Sequence, residues 1–168
     1  MAKIFLIGMP GSGKSTIGKT LATKLAFAFV DLDVEIERKE GATIEAIFDL
    51  KGEAYFRQVE AQVLSEVAAQ EGNYIIATGG GTPCHYNGLT FMQKVGITVF
   101  INVSIATLIN RLKADTTRPL LKEGVEERIE KFYKERLTVY SKAQLIIDAD
   151  SLTKEKLIER IIGELKLG

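Results

Sequence analysis

"IFLIGMPGSGKST", residues 4–16, joins an apolar run to a glycine-rich loop and the start of a helix. Residues 3–7 read as a strand buried on both faces, and residues 14–25 place Ile17, Leu21 and Leu25 on one face of a helix. Between them Gly8, Gly13, Lys14 and Ser15 fit the spacing G-x-x-x-x-G-K-[ST]. Its glycines let several backbone N–H groups converge on one anion, and the helix N-terminus adds partial positive charge. Strand, loop and helix stand in the order the pattern requires. Gly11, Ser12, Gly13, Lys14, Ser15 and Thr16 are therefore expected to hold the phosphates of a nucleoside triphosphate. Lys14 would reach the β and γ phosphates, and the Ser15 hydroxyl would ligate Mg²⁺.

Working outward, β-rich segments recur at 3–7, 28–30, 73–77, 97–102 and 144–147. Helical patterns separate them at 14–25, 33–67 with a break near Gly41, 86–94, 104–113, 125–140 and 154–166. Strands alternating with helices imply an α/β fold with a parallel sheet covered on both faces. At 168 residues the chain is expected to form one domain, residues 1–168.

Composition limits the partners. Lys plus Arg and Asp plus Glu are 22 each, so nothing points to nucleic acid or to a membrane surface. The apolar stretch near the N-terminus is too short for a signal peptide, and no run of about 20 apolar residues occurs. Cys84 is the one cysteine, so an intramolecular disulfide is excluded and a reducing, cytoplasmic setting is expected. Cys84 and the single histidine, His85, are too few for a zinc site and read as incidental loop residues.

Ligands of such sheets bind beyond the carboxyl ends of the strands. After the first strand comes the phosphate loop, after the second "DLD" (31–33), after the third "TGGG" (78–81). Phosphoryl transfer needs positioning, a metal ion and positive charge around the moving group. Asp31 is the best second contact for the metal, directly or through water. Asp33 has two readings, both open at this point. It caps the helix starting near Val34, or it accepts a hydrogen bond from the acceptor's hydroxyl and draws off its proton. Arg57 and Glu60, three apart on a helix beside Phe48, Tyr55 and Phe56, can pair and present a fork to a substrate carboxylate. Three glycines in succession, Gly79, Gly80 and Gly81, make sense where something must approach the backbone closely, and the acceptor is the natural candidate. The polar segment 113–124, broken by Pro119 and carrying Arg118, reads as a lid.

Taken together, "GMPGSGKST", "DLD", "GATIEAIFDLKGEAYFRQVE", "IIATGGG", "TTRPLL" and "ERLTVYSKA" make the sequence resemble the shikimate kinases over nearly its whole length. The resemblance implies a fold like that of the nucleoside monophosphate kinases, with a five-stranded parallel sheet, a substrate-binding segment at about 31–61 and a lid at about 113–124. It implies ATP- and Mg²⁺-dependent phosphorylation of the 3-hydroxyl of shikimate; a monomer is expected. By motif, Lys14, Asp33 and Arg118 would serve the chemistry, with Asp33 holding the shikimate hydroxyls and acting as base. Arg57 and Arg136 would clamp the carboxylate, with Glu60 orienting Arg57, and Gly79, Gly80 and Gly81 would offer backbone contacts. Arg118 would close onto the phosphoryl group and Arg111 would stack on adenine, near a loop at 150–153. Two departures stand out: Pro10 within the phosphate loop, and "TPCHYNGLTFM" after the glycines. Competing readings are another small-molecule kinase with the same loop, or a non-catalytic nucleotide-binding module. The intact set Lys14, Asp33, Arg57, Arg118 and Arg136 argues against the latter.

Overall fold

A computed structural model describes residues 1–114 and 124–165. The expected lid at 113–124, and Arg118 within it, lies almost wholly outside the described residues.

Five strands form one parallel sheet: β1 (Lys3–Ile7), β2 (Ala28–Asp31), β3 (Tyr74–Ala77), β4 (Ile97–Asn102) and β5 (Leu145–Asp148), in the order β2-β3-β1-β4-β5. Ile4, Phe5, Leu6 and Ile7 are all fully buried. Successive side chains of a strand point to opposite faces, so both faces of β1 are covered. The outer strands β2 and β5 keep partly exposed positions, as edges do. Registers such as Leu6 opposite Ala77 and Val30 opposite Ile76 bring the strand ends to a common rim.

Among the described residues the connections are α1 (Lys14–Leu25), α2 (Leu32–Glu40), α3 (Ile44–Ala69), a short 3-10 turn (Thr82–Cys84), α4 (Gly88–Val95), α5 (Ile105–Ala114), α6 (Val125–Tyr140) and α7 (Lys154–Leu165). These agree with the periodicity to within a few residues. Two differences have physical causes. The helix after β2 begins at Leu32, two residues earlier than Val34, because Asp31 and not Asp33 is its cap: an Asp31 carboxylate oxygen accepts from the Asp33 N–H at 3.1 Å. The long helix is also divided a second time. Beyond Gly41, which ends α2 in a left-handed conformation, Gly52 within α3 has φ 83° and ψ 169°, separating residues 44–51 from 53–69. Thr43 restarts the chain as a helix by accepting from the Ala46 N–H at 3.1 Å.

Candidate active site

The turn from β1 into α1 forms the base of the site. Gly8, Gly11 and Gly13 all have positive φ, conformations that side chains disfavour and that turn the loop back over the helix N-terminus. The Lys14 side chain is buried and folds over this loop, donating to the carbonyls of Gly8 and Met9 at 2.9 Å each and to Ser12 Oγ at 3.3 Å. Burial pulls its pKa down to about 8, opposed by Asp33 and Asp31 and assisted by Arg136. Ser15 Oγ donates to the Asp31 carboxylate, so the two groups expected at the metal already touch.

A cleft of about 310 Å³ opens above the loop, lined among others by Lys14, Ser15, Asp31, Asp33, Gly79 and Gly80. Asp33 reaches it from the first turn of α2. Burial, aided by the nearby carboxylates of Asp31 and Glu60 and opposed by Lys14, raises its pKa to about 6. A neighbouring cavity of about 240 Å³ includes Ser12, Gly13, Thr16, Arg111, Leu152 and Leu157 in its walls. Arg111 donates to the Gly11 carbonyl at 3.1 Å, which sets it beside the phosphate loop and the loop at 150–153.

Around the glycine triplet the side chains crowd closely. A Cβ on Gly79 would stand 3.0 Å from an Asp33 oxygen and 3.0 Å from a Glu60 oxygen. On Gly80 it would meet Arg136 Nη1 and the Pro10 ring, each at 2.8 Å, and on Gly81 it would run into the Arg57 guanidinium. The chain's own arginines and carboxylates thus crowd all three glycines. Pro10 gains a role here too: its ring joins the phosphate loop to the triplet. Gly81 has φ −88° and ψ −12°, which any residue adopts, so space alone requires glycine there. Gly81→Ala is accordingly expected to raise the KM for the acceptor by roughly 10–100-fold while the KM for ATP changes less than about twofold, read by steady-state kinetics.

Arg57 does not line the larger cleft. It meets the triplet at Gly81, and it also lines a separate cavity of about 150 Å³ with Glu60, Leu64, His85 and Phe91. Glu60 Oε1 accepts from Arg57 Nη1 at 2.9 Å, and both side chains are almost fully buried. Glu60 Oε2 accepts from Thr82 Oγ1 at 2.8 Å, so the pair is held from two sides. The Arg136 guanidinium lies over the Phe132 ring at 4.3 Å. Sequence reasoning missed two members of this shell. Thr82 follows the triplet directly, and Tyr140 stands one helical turn beyond Arg136, a spacing that puts both on one side of α6. Among the described residues no cluster of three or more His, Cys, Asp or Glu could hold a metal, and none of the helices is long and apolar enough to cross a membrane.

A phosphate loop with a buried lysine, facing a half-buried carboxylate across one cleft at the rim of a β2-β3-β1-β4-β5 sheet, defines the class of the small P-loop kinases. Comparison with known proteins narrows the class. The family model described as shikimate kinase matches residues 10–166. A shikimate kinase of Sulfurihydrogenibium sp. (strain YO3AOP1) is 44% identical over 166 residues, covering 99% of each chain. The crystal structure of the shikimate kinase of Bacteroides thetaiotaomicron superposes with a TM-score of 0.91 at 38% identity, over 99% of each chain. A solved structure of the shikimate kinase of Acinetobacter baumannii, in complex with shikimate, gives 0.89 at 35% identity, covering 100% of this chain and 96% of the other. The chain belongs to the shikimate kinase family.

Proposed function

We propose that this chain transfers the γ-phosphoryl group of ATP to the 3-hydroxyl of shikimate. The observation that carries the reading is the single cleft in which Lys14 and Ser15 of the phosphate loop face Asp33, Gly79 and Gly80 of the acceptor side. Shikimate has one carboxylate and three hydroxyls. Arg136 at Gly80 and Arg57 at Gly81 supply two guanidinium groups for the carboxylate, and Asp33 supplies an acceptor for the hydroxyls.

Asp33, its pKa raised to about 6, is ionised at neutral pH yet basic enough to take the proton of the attacking hydroxyl. Lys14 turns from the loop carbonyls to the β and γ phosphates. The Ser15 hydroxyl and Asp31 carboxylate are hard oxygen donors in mutual contact, a set that suits Mg²⁺ without a dedicated carboxylate cage. Bound with ATP, Mg²⁺ would neutralise charge on the phosphate oxygens. The remaining positive charge is assigned to Arg118, which lies outside the described residues.

The test is ADP release with ATP and Mg²⁺, comparing shikimate, gluconate and nucleoside monophosphates as acceptors. Turnover with shikimate alone is expected. Turnover with another acceptor, or ATP binding without turnover, contradicts the proposal.

A further inference from the structure

All three carbonyls of the glycine triplet are engaged, and not in the same way. Those of Gly79 and Gly81 accept from the backbone N–H groups of Thr82 and Cys84 at 3.2 and 3.0 Å, as a short turn requires. That of Gly80 accepts instead from a side chain, the Tyr140 hydroxyl, at 2.5 Å and 60 residues away in sequence. Tyr140 is fully buried at the end of α6, its ring packed against Phe100 of β4 with centroids 5.0 Å apart. A ring so enclosed has little freedom, and burial drives its phenol pKa upward, so the hydroxyl remains a proton donor throughout the neutral range.

Because a peptide unit is planar, fixing the Gly80 carbonyl fixes the N–H of Gly81 in the opposite direction. Glycines have no side chain to hold them otherwise, so a triplet left to itself would sample several peptide orientations. Arg136 lies one turn before Tyr140 on α6 and packs on Gly80 from its side chain. One helix thus carries both the guanidinium beside the triplet and the hydroxyl that anchors the triplet to that helix.

We propose that Tyr140 is a positioning residue for the acceptor: its hydroxyl locks the Gly80–Gly81 peptide to α6, setting the Gly81 N–H and the Arg136 guanidinium in a fixed relation. The proposal rests on the reading of the cleft as a shikimate site. It acts on the acceptor half alone, since the nucleotide-side cavity is built from α1, Arg111 and the residues around β5 and α7.

Tyr140→Phe keeps the ring and its contact with Phe100 and removes only the hydroxyl. Its KM for shikimate is expected to rise roughly tenfold, the scale of one lost hydrogen bond that positions a site, with the KM for ATP within about twofold and kcat reduced less than about threefold. Phe100→Leu is the packing control. It lowers Tm while leaving the hydroxyl in place, and its KM for shikimate is expected to stay at the starting value. An unchanged KM in Tyr140→Phe, or an equal rise in Phe100→Leu, would mean that Tyr140 serves the core only and overturns the proposal. Should Tyr140→Phe fail to fold, NMR on the unsubstituted chain decides. A slowly exchanging Tyr140 hydroxyl proton that shifts when shikimate is added, and not when an ATP analogue is added, is expected; its absence or indifference to shikimate overturns the proposal. Absence of shikimate-dependent turnover in the unsubstituted chain sinks the functional reading, and this one with it. Normal turnover with an indifferent Tyr140→Phe sinks this one alone.

Discussion

Lys14→Met is expected to lower kcat by roughly 10³-fold or more, since removing one preorganised charge at a transferring phosphoryl group costs on that order. Its ammonium is the buried cation of the phosphate loop, already stripped of water and held by the loop's own carbonyls. Desolvation was therefore incurred in folding, so the charge can move to the phosphates with little further reorganisation. Methionine matches the stem in length and removes the charge. Because the lysine also ties Gly8, Met9 and Ser12 together, the variant loses ATP affinity as well. Shikimate binding without nucleotide is expected to remain within about threefold, because the guanidinium groups that flank the triplet are carried by α3 and α6. The chain has no tryptophan, so calorimetric titration is the suitable readout for both ligands. Equal loss of both affinities would indicate general damage to the fold.

Asp33→Asn is expected to reduce kcat by roughly 10²–10⁴-fold, the usual range for a lost general base, and at the same time to raise stability. The sign follows from linkage. The folded chain holds the Asp33 pKa at about 6, above the ordinary value of 3.8, so between these limits the native state binds more protons than the unfolded state. Stability contributed by the protonated acid is complete below about pH 4 and is lost as pH rises through 6. At pH 7 and above the ionised Asp33 is a burden that asparagine lifts, worth about 1–2 kcal/mol once partial solvent exposure is discounted. Thermal unfolding at pH 7.5 should show a higher Tm for Asp33→Asn than for the parent, with the difference closing toward pH 4. The same ionisation should appear as an acid limb near pH 6 in kcat/KM. A variant that is inactive but no more stable would mean that Asp33 is not held in the environment described.

Most of the fold was legible because its signals are local. The apolar run before Gly8, the helical spacing of Ile17, Leu21 and Leu25, and the repeated alternation of strand and helix each act within a dozen residues. The break at Gly52 was not legible. Its flanks, "IFDLK" and "EAYFR", both read as helix, and a lone glycine there is an ordinary tolerated residue until φ is known. Asp31 and Asp33 show the same limit at the site. Both were identified, but which one caps depends on where the first helical N–H falls, a matter of one or two residues. The crowding of Arg57, Glu60 and Arg136 on the triplet joins segments from three elements, and no spacing in the sequence encodes that meeting. Thr82 and Tyr140 escaped for a plainer reason: a threonine after a turn and a tyrosine on an apolar helix face are ordinarily structural, and only their partners, Glu60 and Gly80, mark them out.

The oxygen that receives the phosphoryl group is identified by proton-coupled ³¹P NMR of the product. The chain would be incubated with ATP, Mg²⁺ and shikimate until ADP accumulates. One phosphomonoester resonance split by the hydrogen on C3 of shikimate is expected, forming in step with ADP. Inorganic phosphate alone, or a resonance coupled to the hydrogen on another carbon, would contradict it.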